Sequence, residues 1–398
     1  MIVIKTLVEL FDTCQIENVI AALRFKPEKI VFVGFKKIMT KKKTEDLKKF
    51  LEMKNLDIEL EFRVVPRYNY EEIVDGLNSI IAENKEVAFD LTGGKELVLV
   101  AMGEIAAEKS VPMFQFDVRS GELIRIKNCE AVPETEKPVT TIEETVVLAG
   151  GGVVKDPEQP EWELTEGFCR DVEKIWNICR KDCRQWNKTA GIIKMIEAAS
   201  ECPGELVVRT DATKINTLPD EEIMDELQKS GIIKGYDHSG NIIVFEYKNE
   251  QVSRVLAKAG NILELYVYML AKKIQQEEPG YYDDIGTGVS VDWDGEVTGN
   301  SDTRNEIDIF VMRDIVPIFV SCKNGDVHKE ALYELNTVAE KFGGEYAKKV
   351  LVCTYINSSA KGRNYILQRA RDMKIEIIED VDMLESEEFL KEIRKRIR

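Results

Sequence analysis

Strand and helix alternate through the first 130 residues with a regularity that leaves few folds open. Short β-branched and aromatic runs, "IVIKTLVEL", "KIVFVGF", "IELEFRVVP", "EVAFDLT" and "PMFQFDV", are separated by "QIENVIAALRF", "TEDLKKFLEMK", "YEEIVDGLNSIIAEN" and "GKELVLVAMGEIAAEK", whose apolar residues recur three and four apart. Each helix must carry the chain back over the sheet before the next strand can join, so this order predicts a parallel sheet covered on both faces. A Rossmann-like α/β domain is therefore expected over residues 1–150, closed by a hairpin that turns at Ser120-Gly121.

Between residues 130 and 160 the pattern dissolves into Pro, Gly, Thr and acids, which predicts a boundary. A second unit, residues 160–250, reads as a helix over "LTEGFCRDVEKIWNICRKDCRQWNKTAGIIKMIEAAS", a helix over "PDEEIMDELQKS" and a hairpin turning at Ser239-Gly240. Helix followed by a two-stranded ribbon is winged-helix-like. The third unit, residues 252–398, gives helix, three strands, helix, strand, helix, strand, with an αβββαβ frame at its heart.

Net charge is −17, so the surface as a whole repels polyanions. Local basic runs exist at Phe35 to Lys43, Ala347 to Val350, Ala360 to Lys374 and in the terminal "KEIRKRIR"; each is a candidate nucleic-acid contact or a solvated helix face balanced by acids. Eight scattered cysteines without a CxxC predict reduced thiols. No apolar run reaches membrane-spanning length and no secretory signal pattern follows Met1, so the expected location is the cytoplasm, with no membrane partner.

The chemistry concentrates in "NEIDIFVMRDIVPIFVSCKNG". Period-two alternation places Glu306, Asp308 and Phe310 on one strand face and Ile307 and Ile309 on the other, while Ser321 and Lys323 share a face of the next strand. If the hairpin aligns them, Asp308 and Lys323 converge, either as a plain cross-strand ion pair or as a centre for metal-assisted phosphodiester hydrolysis. The arrangement resembles the PD-(D/E)xK nuclease superfamily, whose core is αβββαβ with an acid on the second strand and (D/E)-x-K on the third. The resemblance implies Asp308, Glu306, Ser321 and Lys323 as catalytic residues, and Mn²⁺ or Mg²⁺ held by Asp308, Glu306 and Glu264 of the preceding helix. The pattern departs at Ser321, where an acid is usual; Glu306 or Glu264 would then supply the missing carboxylate and Ser321 would bond a metal-bound water. Glu264 also stands at capping-box spacing from Asn261, so a purely structural role at the helix start is open.

A second motif, "DLTGGKELVLVAMG", begins at Asp90 where a strand gives way to a helix. Glycines there free backbone N–H groups at a helix N-terminus for an anion, with Thr92 offering a hydroxyl and Lys95 a charge; the alternative is a tight turn capped by Thr92. Neither G-x-x-x-x-G-K-[ST] nor G-x-G-x-x-G is present, which removes the main support for an ATPase or a dehydrogenase. The segment resembles the strand–(D/N)xTGG(K/T)–helix of CARF domains, the CRISPR-associated Rossmann fold. That implies a cyclic-oligoadenylate site made of Asp90, Thr92, Gly93, Gly94 and Lys95 with Thr13 and Gln15 from the loop after the first strand.

Sensor, middle segment and nuclease in this order are similar to the CARF-nuclease effectors of type III CRISPR systems. The resemblance implies a homodimer activated by cyclic tetra-adenylate or hexa-adenylate and cutting single-stranded RNA or DNA, or nicking duplex DNA. The alternative is a ligand-responsive transcription regulator with a degenerate nuclease domain; against it, "PDEEIMDELQKS" is too acidic for the major groove.

Overall fold

The computed structural model describes residues 4–94, 96–130, 132–155, 161–257, 260–296, 304–356 and 359–398. The first sheet contains β1 (Thr6–Leu10), β2 (Lys29–Gly34), β3 (Glu59–Val64), β4 (Val87–Asp90), β5 (Met113–Asp117) and β6 (Glu122–Lys127), interleaved with α1 (Ile20–Phe25), α2 (Lys41–Met53), α3 (Tyr70–Glu83) and α4 (Glu96–Lys109). Strand order is β3-β2-β1-β4-β5-β6, parallel except for the β5–β6 hairpin. Alternation along each strand fills both faces: Leu7, Phe11, Ile30 and Phe32 pack with Ile20, Leu47 and Phe50, whereas Val8, Leu10, Val31 and Val33 pack with Ile73, Leu77, Val98 and Met102. The chain winds one way from β1 to β3 and the other way from β4, so the crevice beyond β1 and β4 is the topological switch point where open α/β sheets bind ligands.

The stretch that reads as a linker is partly structured. It holds α5 (Ile142–Leu148), started by a Thr141–Glu144 capping box, and β7 (Gly152–Val154). Ile142 and Val146 join the apolar core of the third sheet, and β7 pairs with a strand of that sheet, so a boundary at residue 150 falls inside this unit rather than before it. Three short residues of β7 gain their partners only in three dimensions, which is why composition concealed them.

The middle unit contains α6 (Glu166–Cys179), α7 (Cys183–Ala198), β8 (Val207–Asp211), α8 (Glu221–Lys229), β9 (Ile233–Asp237), β10 (Ile242–Tyr247) and α9 (Glu250–Leu256). The single helix expected over residues 164–200 is two, because Asp182 turns its carboxylate onto the N–H groups of Arg184 and Gln185 and starts α7 afresh. β8 was not anticipated; it completes a three-stranded sheet of order β8-β10-β9, the winged-helix arrangement. The helix preceding the wing, α8, carries Glu221, Glu222, Asp225 and Glu226, an acidic face.

The third unit comprises α10 (Asn261–Glu277), β11 (Asp284–Asp292), β12 (Arg304–Arg313), β13 (Val316–Asp326), α11 (Lys329–Gly343), β14 (Lys348–Tyr355), α12 (Ala360–Asp372), β15 (Ile375–Ile378) and α13 (Ser386–Arg396). Its sheet runs β15-β14-β13-β12-β11-β7, with β11, β12 and β13 antiparallel and β13, β14 and β15 parallel. This is the expected αβββαβ frame. One face of the sheet, Ile309, Val311, Ile318 and Val320, lies in a single apolar core with Trp176, Trp186 and Tyr247 of the middle unit and Tyr266 of α10; Trp176 stacks on Tyr266 at 5.2 Å between centroids. The middle unit is thus built into the third unit's core and is no loose spacer.

Candidate active site and glycine turn

The antiparallel ladder between β12 and β13 ends at Ile309↔Val320. At the next position the Asp308 carboxylate enters the gap: its Oδ2 accepts from the backbone N–H of Cys322 at 2.6 Å and the Ser321 hydroxyl at 3.1 Å, and Lys323 Nζ stands 3.6 Å away. Thr287 on β11 donates to the Asp308 carbonyl at 3.1 Å. Asp308, Ser321 and Lys323 therefore converge as the sequence predicts. Strict alternation does not survive the intrusion, however. Ile307 packs in the same core as Phe310, and Ile309 in the opposite one, so the expectation that Glu306, Asp308 and Phe310 share one face is corrected. A side chain that takes over a ladder hydrogen bond rotates the backbone beside it, and periodicity alone carries no sign of that.

Glu306 is exposed, with Oε1 3.6 Å from where a Cβ on Gly288 of β11 would lie, so its carboxylate leans away from β13. Glu264 lies in the first turn of α10, but the residue before that helix is Gly260 and no side-chain cap forms there; Asn261 instead donates to the Arg254 carbonyl at 3.1 Å. The capping-box alternative for Asn261 and Glu264 is set aside. Glu264 and Asp308 bear together on the buried Cys322 thiol, which is pushed well above its ordinary range by burial first and then by these two charges, with Lys323 opposing them. Among the described residues no three His, Cys, Asp or Glu side chains gather as a metal cage, so the expected triad of Asp308, Glu264 and Glu306 does not assemble. Asp308 and Glu264 are the two carboxylates whose charges reach the Cys322 thiol, and a hard divalent cation of the Mg²⁺ type is commonly bound by one or two carboxylates with water and substrate phosphate completing the shell. The Ser321 hydroxyl donates to Asp308, and its oxygen keeps acceptor capacity.

At the switch point of the first sheet, Asp90 and Thr92 are 1% and 4% exposed. Asp90 Oδ1 accepts from the Thr92 N–H at 2.9 Å and hydroxyl at 2.6 Å, and Thr92 Oγ1 accepts from the Phe116 N–H at 2.9 Å. Both side chains brace the turn and face inward, with the Thr92 hydroxyl bonded to Asp90 and to β5. Gly93 has φ +72°, and a Cβ there would sit 2.4 Å from Glu17 Oε2; only glycine can pass its backbone over that carboxylate. Lys95 lies outside the described residues. Thr13 donates to Asp12 Oδ1 at 2.8 Å, and Gln15 to the Asp12 carbonyl at 3.1 Å; both line a cavity of about 310 Å³ shared with Lys43, Glu340 and Lys341.

Sequence reasoning missed two groups here. Glu9 pairs in register with Asp90 across β1 and β4, and both Glu9 oxygens and Asp90 Oδ2 are buried without a donor. Burial first, then the Asp90 charge, drives the Glu9 carboxyl well above its usual range, and burial pushes Asp90 up to about 6. A proton held on Glu9 supplies the missing donor between them. Glu17, the second, joins the first unit to the third by accepting from the Tyr346 hydroxyl at 2.6 Å; an acid inside "QIEN" gave no sign of this. Of the basic runs, the terminal one is largely neutralised: Arg394 pairs with Glu277 and Glu278, and Arg396 with Glu376 and Glu392.

Fold and site define a restriction-endonuclease-like domain joined through a winged-helix-like unit to a Rossmann-like domain with its crevice at the β1/β4 switch point. Residues 249–397 match the family described as the Card1-like endonuclease domain. Two solved structures share the architecture along the whole chain. Protein VC1899 from Vibrio cholerae superposes with a TM-score of 0.74 at 17% identity over 98% of this chain and 96% of its own. Can2 from Sulfobacillus thermosulfidooxidans, solved in complex with cyclic tetra-adenylate, gives 0.71 at 16% identity over 99% and 98%. No curated protein matches the chain. Among the described residues no helix is long and apolar enough to cross a membrane.

Proposed function

We propose that the protein is a divalent-cation-dependent endonuclease of type III CRISPR defence, switched on by a cyclic oligoadenylate, cyclic tetra-adenylate being the first choice. The observation that carries the reading is the Asp308 carboxylate set against Lys323 where β12 and β13 part, inside a Card1-like endonuclease domain. Asp308, with Glu264 as second carboxylate, would hold Mn²⁺ or Mg²⁺, and the ion would supply Lewis-acid activation of the phosphodiester. The Cys322 N–H and the Ser321 hydroxyl fix the Asp308 carboxylate in place. Lys323 orients the attacking water and stabilises charge on the pentacovalent phosphate.

The activator lies over Gly93, Gly94 and the Thr13–Gln15 loop at the switch point, and two copies of the chain face each other across it, since a ring with rotational symmetry suits a two-fold dimer. The fold shared with Can2, whose structure holds cyclic tetra-adenylate, supports this placement. Single strands are the preferred substrate of so acidic a chain. The acidic α8 argues against the transcription-regulator alternative.

The test is cleavage of labelled single-stranded RNA, single-stranded DNA and supercoiled plasmid across cyclic oligoadenylates of several ring sizes, with and without Mn²⁺. Cutting that needs both ligand and Mn²⁺ and is lost in Asp308→Ala is expected. Undiminished cutting by Asp308→Ala would refute the site, and cutting indifferent to every ligand would refute the switch.

A further inference from the structure

β13 does not end cleanly after Lys323. Its parallel pairing with β14 runs Lys323↔Cys353 and resumes at Asp326↔Tyr355, so Asn324 and Gly325 contain one residue more than the facing strand, a bulge immediately beyond the lysine. Bulges of this kind re-aim the side chains beside them and need outside support. One side of this bulge is pinned within the third unit, where the Gly325 N–H donates to the buried Thr354 hydroxyl at 2.9 Å.

The other side is held from the middle unit. Asn187 of α7 donates from Nδ2 to the Asn324 carbonyl at 2.6 Å, and its Oδ1 accepts from Asn324 Nδ2 at 3.0 Å, closing a two-bond ring; Asn324 Nδ2 also donates to the Cys179 sulfur of α6 at 3.3 Å. Gly325, at φ +137°, would bring a Cβ to 3.3 Å from Asn187 Nδ2, so the backbone passes close against the amide. The neighbours of Asn187 along α7, Trp186 and Ala190, are locked in the core that the middle and third units share. α7 is therefore a rigid mount, and Asn187 is its point of attachment to the strand end that carries Lys323.

We propose that Asn187 is a positioning residue for the nuclease centre: through Asn324 it fixes the bulge and with it the reach of Lys323 toward Asp308, so that the middle unit sets the geometry of cleavage. The inference rests on the nuclease reading above. Its functional consequence is that a shift of α7 acts first on Lys323, which stands directly beside the bulge, giving the middle unit more control over rate than over cation binding.

The experiment uses the full chain with Mn²⁺, cyclic tetra-adenylate and labelled single strands, comparing Asn187→Ala with Gln185→Ala, which removes a hydrogen bond of 2.9 Å to Asp220 within the middle unit. Asn187→Ala should lower kcat by roughly tenfold or more, since misplacing a catalytic group by about 1 Å can cost about a hundredfold, while KM and the Mn²⁺ concentration for half-maximal rate stay put. Gln185→Ala should leave kcat unchanged. Amide hydrogen exchange in the same proteins gives a readout independent of cleavage: Asn187→Ala should speed exchange across Lys323–Asp326 and Gln185→Ala should not. Wild-type exchange in that segment, or equal kcat losses in the two variants, would overturn the proposal. A wild-type chain that cuts no substrate would sink the nuclease reading instead, and the exchange result would still decide whether Asn187 holds the bulge.

Discussion

Replacing Glu9 with Gln should stabilise the protein at neutral pH, and the gain should vanish in acid. Glu9 and Asp90 are each 1% exposed and face one another on neighbouring strands with three oxygens lacking a donor. Asp90, ordinarily near 3.8, is held at about 6 by burial, with the Thr92 hydrogen bonds opposing. Between those two values the folded chain binds more protons than the unfolded one, so stability falls as pH rises; for Asp90 alone the loss is about 3 kcal/mol and is complete above pH 6. Glu9, raised well above its ordinary range as well, adds to the decline. Gln keeps the shape of Glu9, removes one acid from the pair and offers an amide donor to Asp90, so Glu9→Gln should gain about 1–3 kcal/mol at pH 7.5. Thermal melts at intervals from pH 4.5 to 8 measure this as a rise of about 2–4 °C per kcal/mol if the first unit melts as a domain of ordinary size. A variant less stable than wild type at pH 7.5, or a difference that does not change with pH, would refute a shared proton in the pair.

Gly93→Ala forces a side chain into a positive-φ turn and onto the Glu17 carboxylate; it should weaken activator binding at least about tenfold, read by calorimetry, and lower Tm by an amount equivalent to about 1–3 kcal/mol. Tyr346→Phe removes a 2.6 Å donor from the buried Glu17 and should cost about 1–3 kcal/mol, checked by denaturant unfolding; an unchanged midpoint would show that the bond contributes nothing between the two units. Ser321→Ala should slow cleavage only severalfold, because the Cys322 N–H and Lys323 still hold Asp308, and a loss as large as that of Asp308→Ala would point to a direct role for the hydroxyl.

The periodicities of the chain were enough to predict the two α/β sheets apart from the edge strand β7. Alternating Leu7, Val8 and Leu10 admit only a strand covered on both faces, and the order of acid, hairpin and lysine brought Asp308, Ser321 and Lys323 to one place because adjacent antiparallel strands have little freedom in register. Local chemistry also marked the glycine turn at the end of β4. Tertiary structure decided what those residues could do. It turned Asp90 and Thr92 inward, faced Asp90 with Glu9 from a strand 81 positions earlier, leaned Glu306 toward Gly288, tied Arg394 to Glu277 at the end of α10, and hung the end of β13 on Asn187. Each of these depends on which distant backbone lies within about 3 Å of a polar atom, and a one-dimensional pattern sets the face of an element without setting its neighbour.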